Sequence, residues 1–236
     1  MKHGRGAMKQ VTGARYSIGW FKLAECISRG EKERAIGLYR LLLHSFNDKA
    51  LALQLQADMY LSFEERDTAI QHYKQAAQLY YQDKRYVEAA GVYEHIMVLQ
   101  LSKKETIKEL IIVYVMLAHM STLITYLAMY ASLIRETPHY KEIEKEFDAI
   151  ETVFSEINLL VYQQARALYI AQSSWYPEAV KKEYLIACMT RLQEKGLSDE
   201  RDAFVVQLRT INSAMVEEVV SVFTQPCPRI RDIKQQ

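Results

Sequence analysis

Six histidines, three cysteines and a run of carboxylates are the side chains with which this 236-residue chain would do catalysis or bind a metal. The histidines are His3, His44, His72, His95, His119 and His139. None sits in an HExxH or HxxxH pair, and none neighbours a cysteine, so a zinc-type ligand set is not indicated by spacing. Cys26, Cys188 and Cys227 are scattered, odd in number and free of any CxxC. That pattern suits a reducing compartment, with Cys26 and Cys188 as small core residues. Glu142, Glu144, Glu146, Asp148 and Glu151 resemble paired catalytic carboxylates, but they alternate with lysines and lack the ExxH of a di-iron helix. The run therefore reads as a solvated helix face. Neither a phosphate-binding GxxxxGK[ST] or GxGxxG loop nor a GxSxG nucleophile elbow is present. The expectation is a protein that is not an enzyme and uses no metal and no cofactor.

Composition points the same way. Half of the residues are hydrophobic, enough to bury a substantial core, and Gly at 8 and Pro at 4 are few. Long helices need few breakers, so the expected class is all-α. A formal net charge of +1 offers no global field for nucleic acid or anionic lipid. Lys2, Arg5, Lys9 and Arg15 in front, and Arg229, Arg231 and Lys234 behind, read as solvated tails. The first residues carry no apolar run of a secretory signal, and the expected location is cytoplasmic.

The elements that would position a binding surface lie in 16–100, where an alanine followed four residues later by a tyrosine returns three times: Ala35/Tyr39, Ala69/Tyr73 and Ala89/Tyr93. Trp20, Leu23, Ala24 and Ile27 precede the first pair; Leu53, Ala57 and Tyr60 precede the second; Tyr73, Ala76, Ala77 and Tyr80 precede the third. Small residues let helices approach closely while the aromatics fill the space beside them. Two hairpins are expected, at 15–29 with 31–46 and 49–62 with 65–82, joined at Asn47-Asp48, where a helix N-cap fits. From Ala35 to Ala69 the step is 34 residues, the length of a helix–turn–helix repeat.

On these residues the stretch 20–80, and less closely the stretch to 100, resembles the tetratricopeptide repeat (TPR) family. The chain departs from the family's pattern in lacking its terminal proline and in carrying Gln56 in place of leucine. The step from Ala69 to Ala89 is also only 20 residues, so that helix 65–82 serves two copies. The resemblance implies a right-handed helical superhelix whose concave groove is lined by the first helix of each hairpin. Carried over by position, the groove residues are Phe21, Glu25, Ser28 and Arg29, then Leu51, Gln54, Asp58, Leu61 and Ser62. Lys74, Gln78, Tyr81 and Gln82 continue the wall. Some members clamp a C-terminal carboxylate with lysine and asparagine; here Phe21, Glu25, Gln54 and Asp58 occupy those positions, and two acids would repel it. A peptide that is apolar and basic suits this lining better.

Beyond 100 the likeness is weak. Leu110 to Ile134 is a run of 25 residues without formal charge, long enough to span a membrane. Ala118-His119-Met120-Ser121-Thr122 in its middle marks a turn instead, and a buried helical hairpin is expected. Tyr140, Phe147, Phe154, Val161 and Leu168 then recur every seven residues, interleaved with Ile143, Ile150, Ile157 and Ala171. Such a seam predicts one helix over 139–171, roughly 50 Å long. After Ser173-Ser174 and Pro177, one helix runs to a Schellman stop at Gly196, and a last one starts at Ser198 with the stripe Phe204, Leu208, Ile211, Met215, Val219 and Val222.

The expected organisation is a leader at 1–14, TPR-like hairpins at 15–135, a bundle of long helices at 136–225 packed on the repeats, and a tail at 226–236. The expected work is protein–protein recognition by an adaptor, scaffold or secretion-type chaperone holding a peptide in the groove. Two alternatives are a membrane-associated, vesicle-fusion-type adaptor using 110–134 and a structural homodimer joined through 139–171.

Overall fold

Few breakers and sustained helical periodicity give what they should. The computed structural model describes residues 18–43, 47–100, 104–134 and 140–224, and these are helices joined by turns, with no strand among them. Among the described residues there are eleven helices: α1 (described over 18–28), α2 (Lys32–Leu43), α3 (Lys49–Ser62), α4 (Arg66–Gln82), α5 (Tyr86–Gln100), α6 (Lys104–Met116), α7 (Met120–Ile134), α8 (Tyr140–Glu151), α9 (Glu156–Gln172), α10 (Glu178–Glu194) and α11 (Ser198–Thr224). The leader, the tail, His3, His44, His139 and Cys227 lie outside the described residues.

Five turns close in one way. Gly30, Glu64, Lys84, Ala118 and Gly196 have φ of 72°, 63°, 60°, 51° and 71°. The next residue in each turn donates its N–H to a carbonyl five positions back: Glu31 to Cys26, Glu65 to Tyr60, Arg85 to Tyr80, His119 to Tyr114 and Leu197 to Leu192. This is the Schellman arrangement, expected at Gly196 alone. Gly30 and Glu64 are 34 residues apart, and so are Lys84 and Ala118. Three of the five positions are not glycine, so no turn residue announced them.

By packing, the chain divides into two units, Met1–Val113 and Tyr114–Gln236, a boundary inside α6. In the first unit, Leu23, Cys26, Ala35, Tyr39, Leu42 and Met59 form one core cluster. Helix α4 packs against both α3 and α5 through Ala69, Tyr73, Ala76, Ala77 and Tyr80, all buried. Asp48 is the N-cap of α3, its carboxylate accepting the Leu51 N–H at 3.0 Å. Ile107, Leu110, Ile111 and Val113 of α6 are fully buried.

The apolar run 110–134 is cut at Leu117–His119 by the Ala118 turn. No helix among the described residues is long and apolar enough to cross a membrane.

In the second unit α9 is the central helix. It packs on α7, α10 and α11, and every residue from Ala165 to Ala171 is buried. The single helix expected over 139–171 is two helices, α8 and α9, separated by Thr152–Ser155. Ser155 stands extended at the N-cap position of α9, and Ile157, expected on the seam, is 82% exposed. The Tyr162 hydroxyl donates to the Phe147 carbonyl at 2.9 Å, tying α9 back to α8. Burying α9 on several sides requires the chain to reverse; a straight helix would leave most of its surface in water.

Helix α10 buries Leu185, Cys188, Met189 and Leu192, while Val180 and Tyr184 are only half-buried. Helix α11 is also two limbs. Asn212 has φ −154° and ψ 89°, and its side-chain oxygen accepts the Met215 N–H at 3.1 Å, capping the second limb. Arg209 Nε meets Glu217 Oε1 at 2.9 Å. A straight helix would hold those two about 12 Å apart along its axis. Phe204, Leu208, Met215 and Val219 join one core cluster from both limbs, whereas Val222, expected on the stripe, is exposed.

Candidate functional site

Two clefts in the first unit meet at Asp58. One, of about 390 Å³, is lined by Gln54 and Asp58 of α3, Tyr73 of α4, and Glu88, Gly91, Val92 and His95 of α5. The other, of about 200 Å³, is lined by Trp20, Leu23, Ala24 and Ile27 of α1, Tyr39 of α2, and Leu55, Asp58, Met59 and Ser62 of α3.

The Ala–Tyr pattern explains how the polar side chains are held. Alanines at the α3–α4 contact bring the helices close enough for the α4 tyrosines to reach α3. The Tyr73 hydroxyl donates to Asp58 Oδ1, and the Tyr80 hydroxyl donates to Gln54 Oε1 at 3.1 Å. In the first hairpin Tyr39 donates to the Ala52 carbonyl. Burial, aided by the Asp58 carboxylate, pushes the Tyr73 phenol well above its ordinary value; burial alone pushes Tyr39 up to about 12. Both remain protonated donors at neutral pH. The His95 ring meets Tyr73 edge-on, centroids 4.9 Å apart.

Charge is unevenly matched here. Arg85 binds Asp48 Oδ2 at 2.5 Å and Glu88 Oε1 at 3.0 Å, with its guanidinium 4.4 Å over the Tyr80 ring. The Leu51 N–H and then Arg85 hold the Asp48 carboxyl below the usual range; Arg85 does the same for Glu88. Asp58 forms no ion pair among the described residues. Asp48 and Glu88 thus share one guanidinium, and Asp58 and Glu88 are the carboxylates that line the cleft.

Of the positions expected to line the groove, Gln54 and Asp58 come together. Phe21 is 75% exposed on α1, and Glu25 pairs at 2.6 Å with Arg29 in the turn that follows, outside both clefts. Leu51 is exposed and Leu61 half-buried, again outside them. Lys74, Gln78 and Tyr81 do not continue the wall. They belong to α4, whose buried face is spent between α3 and α5, so its remaining faces lie off the α3–α5 cleft. Lys74 and Tyr81 instead interact with Glu109 of α6, and Tyr81 meets the Tyr86 ring at 5.5 Å.

The wall continues on α5, through Glu88, Gly91, Val92 and His95, which the sequence reading missed. A signal was present: Ala24, Ala57 and Gly91 are small residues 33 and 34 positions apart. Following the small residue of the lining helix, rather than the Ala–Tyr pair, leads to α5.

The second unit holds a larger cleft of about 450 Å³, lined among others by Thr125, Ala128, Ser132, Tyr169, Ser173 and Trp175, with no charged side chain. Its charges are gathered at Arg166, which is 3% exposed and reaches Glu144 at 3.0 Å, Asp148 at 2.8 Å and Glu151 at 2.8 Å. Tyr176 donates to Glu144 at 2.8 Å and Gln163 to Glu151 at 2.5 Å. The carboxylate run is therefore not simply a solvated face. Residues 144, 148 and 151 form one stripe at helical spacing, turned onto α9. Joined by Arg166, with Arg191 4.0 Å from Glu151 as a second cation, this cluster braces α8 against α9. Among the described residues no group of three or more His, Cys, Asp or Glu side chains is placed to hold a metal ion.

Compared with models of known protein families and with curated proteins, the chain matches none.

Proposed function

We propose that this chain is a non-enzymatic recognition module, an adaptor, scaffold or chaperone, that holds a peptide segment of another protein in the joined clefts of α1, α3 and α5. The observation that carries this reading is the pair of clefts sharing Asp58, with Asp58 and Gln54 held by tyrosines of the helix behind them. Side chains fixed before binding lose little freedom on binding, which favours recognition by a ready-made surface. The 34-residue spacing of the turns and of Ala57 and Gly91 supports a TPR-like array, and buried, unpaired Cys26 and Cys188 suit a reducing, cytoplasmic setting.

Gly91 supplies the test. A Cβ added there meets no atom within 4 Å outside its own helix, and Gly91 lines the cleft, so a long side chain at this position should fill it. Gly37 of α2 is equally open and serves as the control. Partners captured by the full chain should be lost by at least about tenfold with Gly91→Arg and kept with Gly37→Arg, both variants retaining parental helicity. A partner held equally by Gly91→Arg sinks the reading.

A further inference from the structure

We infer that the peptide taken by these clefts carries one basic side chain, seated at Asp58, beside one bulky apolar side chain, seated between α1 and α3. This deepens the peptide-binding reading above and rests on it. The site is short of a positive charge: Asp48 and Glu88 share the single Arg85, while Asp58 has no cation among the described residues. An incoming ammonium or guanidinium supplies the missing partner. An incoming carboxylate or phosphate meets Asp58 and Glu88, the two carboxylates that line the cleft, and is turned away.

Geometry favours the same group. Tyr73 holds one oxygen of Asp58, fixing the carboxylate without neutralising it, and leaves the other oxygen for a cation entering the cleft that Asp58 lines. The second cleft has a different character. Apart from Asp58, Ser62 and the already bonded Tyr39, its lining is Trp20, Leu23, Ala24, Ile27, Leu55 and Met59. At about 200 Å³ it is smaller than the roughly 300–1,000 Å³ of small-molecule sites and suits a single large side chain. Because Asp58 lines both clefts, the two partner side chains must lie within a few residues of each other.

The test is an array of synthetic 12-residue peptides, probed with the full chain. Each carries one Arg or Lys and one Leu or Phe at varied separation, beside sets with the basic residue replaced by Gln or Glu and sets with the apolar residue replaced by Ser. Binding should require both side chains and weaken with salt. Asp58→Asn, which keeps an acceptor for Tyr73, should weaken the selected peptides by about tenfold or more and flatten the salt dependence. Asp58→Lys should move the preference to the Glu-containing set. Ala24→Trp, filling the apolar cleft, should weaken binding while leaving the salt dependence in place. Glu88→Gln, an exposed change, repeats the charge test should Asp58→Asn lose helicity. Peptides captured without a basic residue, or indifferent to both charge changes, overturn this inference and leave the peptide-binding reading standing. Capture of no peptide in any set overturns both.

Discussion

At the scale of single residues, neighbours decide what a charge does. Asp58 and Glu109 both follow patterns a solvated helix face would show, yet their surroundings differ. Asp58 stands at the edge of a cleft and keeps its charge open to a partner. Glu109, half-buried on α6, is held by Tyr93, with burial raising its carboxyl above the ordinary value of 4.5 and Lys108 and Lys74 only partly offsetting that. The folded chain therefore keeps this proton to higher pH than the unfolded chain. The stability linked to Glu109 is fully present below pH 4.5 and is lost as pH rises through the raised value. Glu109→Gln, which still accepts from Tyr93, should unfold at higher urea concentration than the parent at pH 7. The gap should close as pH falls below 4.5. An equal gap at both pH values would show that Glu109 is ionised without penalty.

Elements here are bounded by turn geometry more than by turn residues. Glu64, Lys84 and Ala118 take the left-handed conformation that glycine takes at 30 and 196. Such a conformation costs an L-residue about 1–2 kcal/mol, against about 0.5–1 kcal/mol of extra chain entropy lost by glycine. Ala118→Gly should therefore stabilise the chain by about 0.5–1 kcal/mol, read as a higher denaturation midpoint with an unchanged slope. A loss of stability would mean that the Ala118 methyl group makes packing contacts worth more than the strain. The same logic explains why Gly196 was readable in advance and Ala118 was visible only as a cluster of small and polar residues.

The whole molecule has two units, each with its own buried core and its own tryptophan, Trp20 in the first and Trp175 in the second. In the second unit, Leu192 is fully buried within the cluster built by α9, α10 and α11. Leu192→Ala removes three carbons from a close-packed site and should cost about 2–5 kcal/mol. The measurement is the Trp175 fluorescence transition in a Trp20→Phe background. A change under about 1 kcal/mol would place that side chain outside the cooperative core. Proposed recognition resides in the first unit, where α4 carries the tyrosines that set the binding residues. The second unit spends its strongest charge cluster on holding α8 against α9.

Local interactions made much of this legible. Scarce Gly and Pro with helical periodicity imply an all-helical chain, because a helix closes its hydrogen bonds within itself. The Ala–Tyr pairs marked buried seam positions at 35/39, 69/73 and 89/93, all of them buried in the structure. Asp48 as a cap and Gly196 as a stop follow from one or two residues each. What neighbours decide was not legible. A seven-residue period passed unbroken through the Thr152–Ser155 turn, because a repeat in sequence does not reveal where the chain reverses. Asn212 breaks α11 so that two limbs can share one core. The partner of Gln54 and Asp58 across the cleft proved to be α5 and not the far faces of α4, a choice set by which helix the alanines and tyrosines of α4 bring alongside. Helix formation is local, whereas the face a helix offers depends on residues tens of positions away, and only the tertiary structure supplies those.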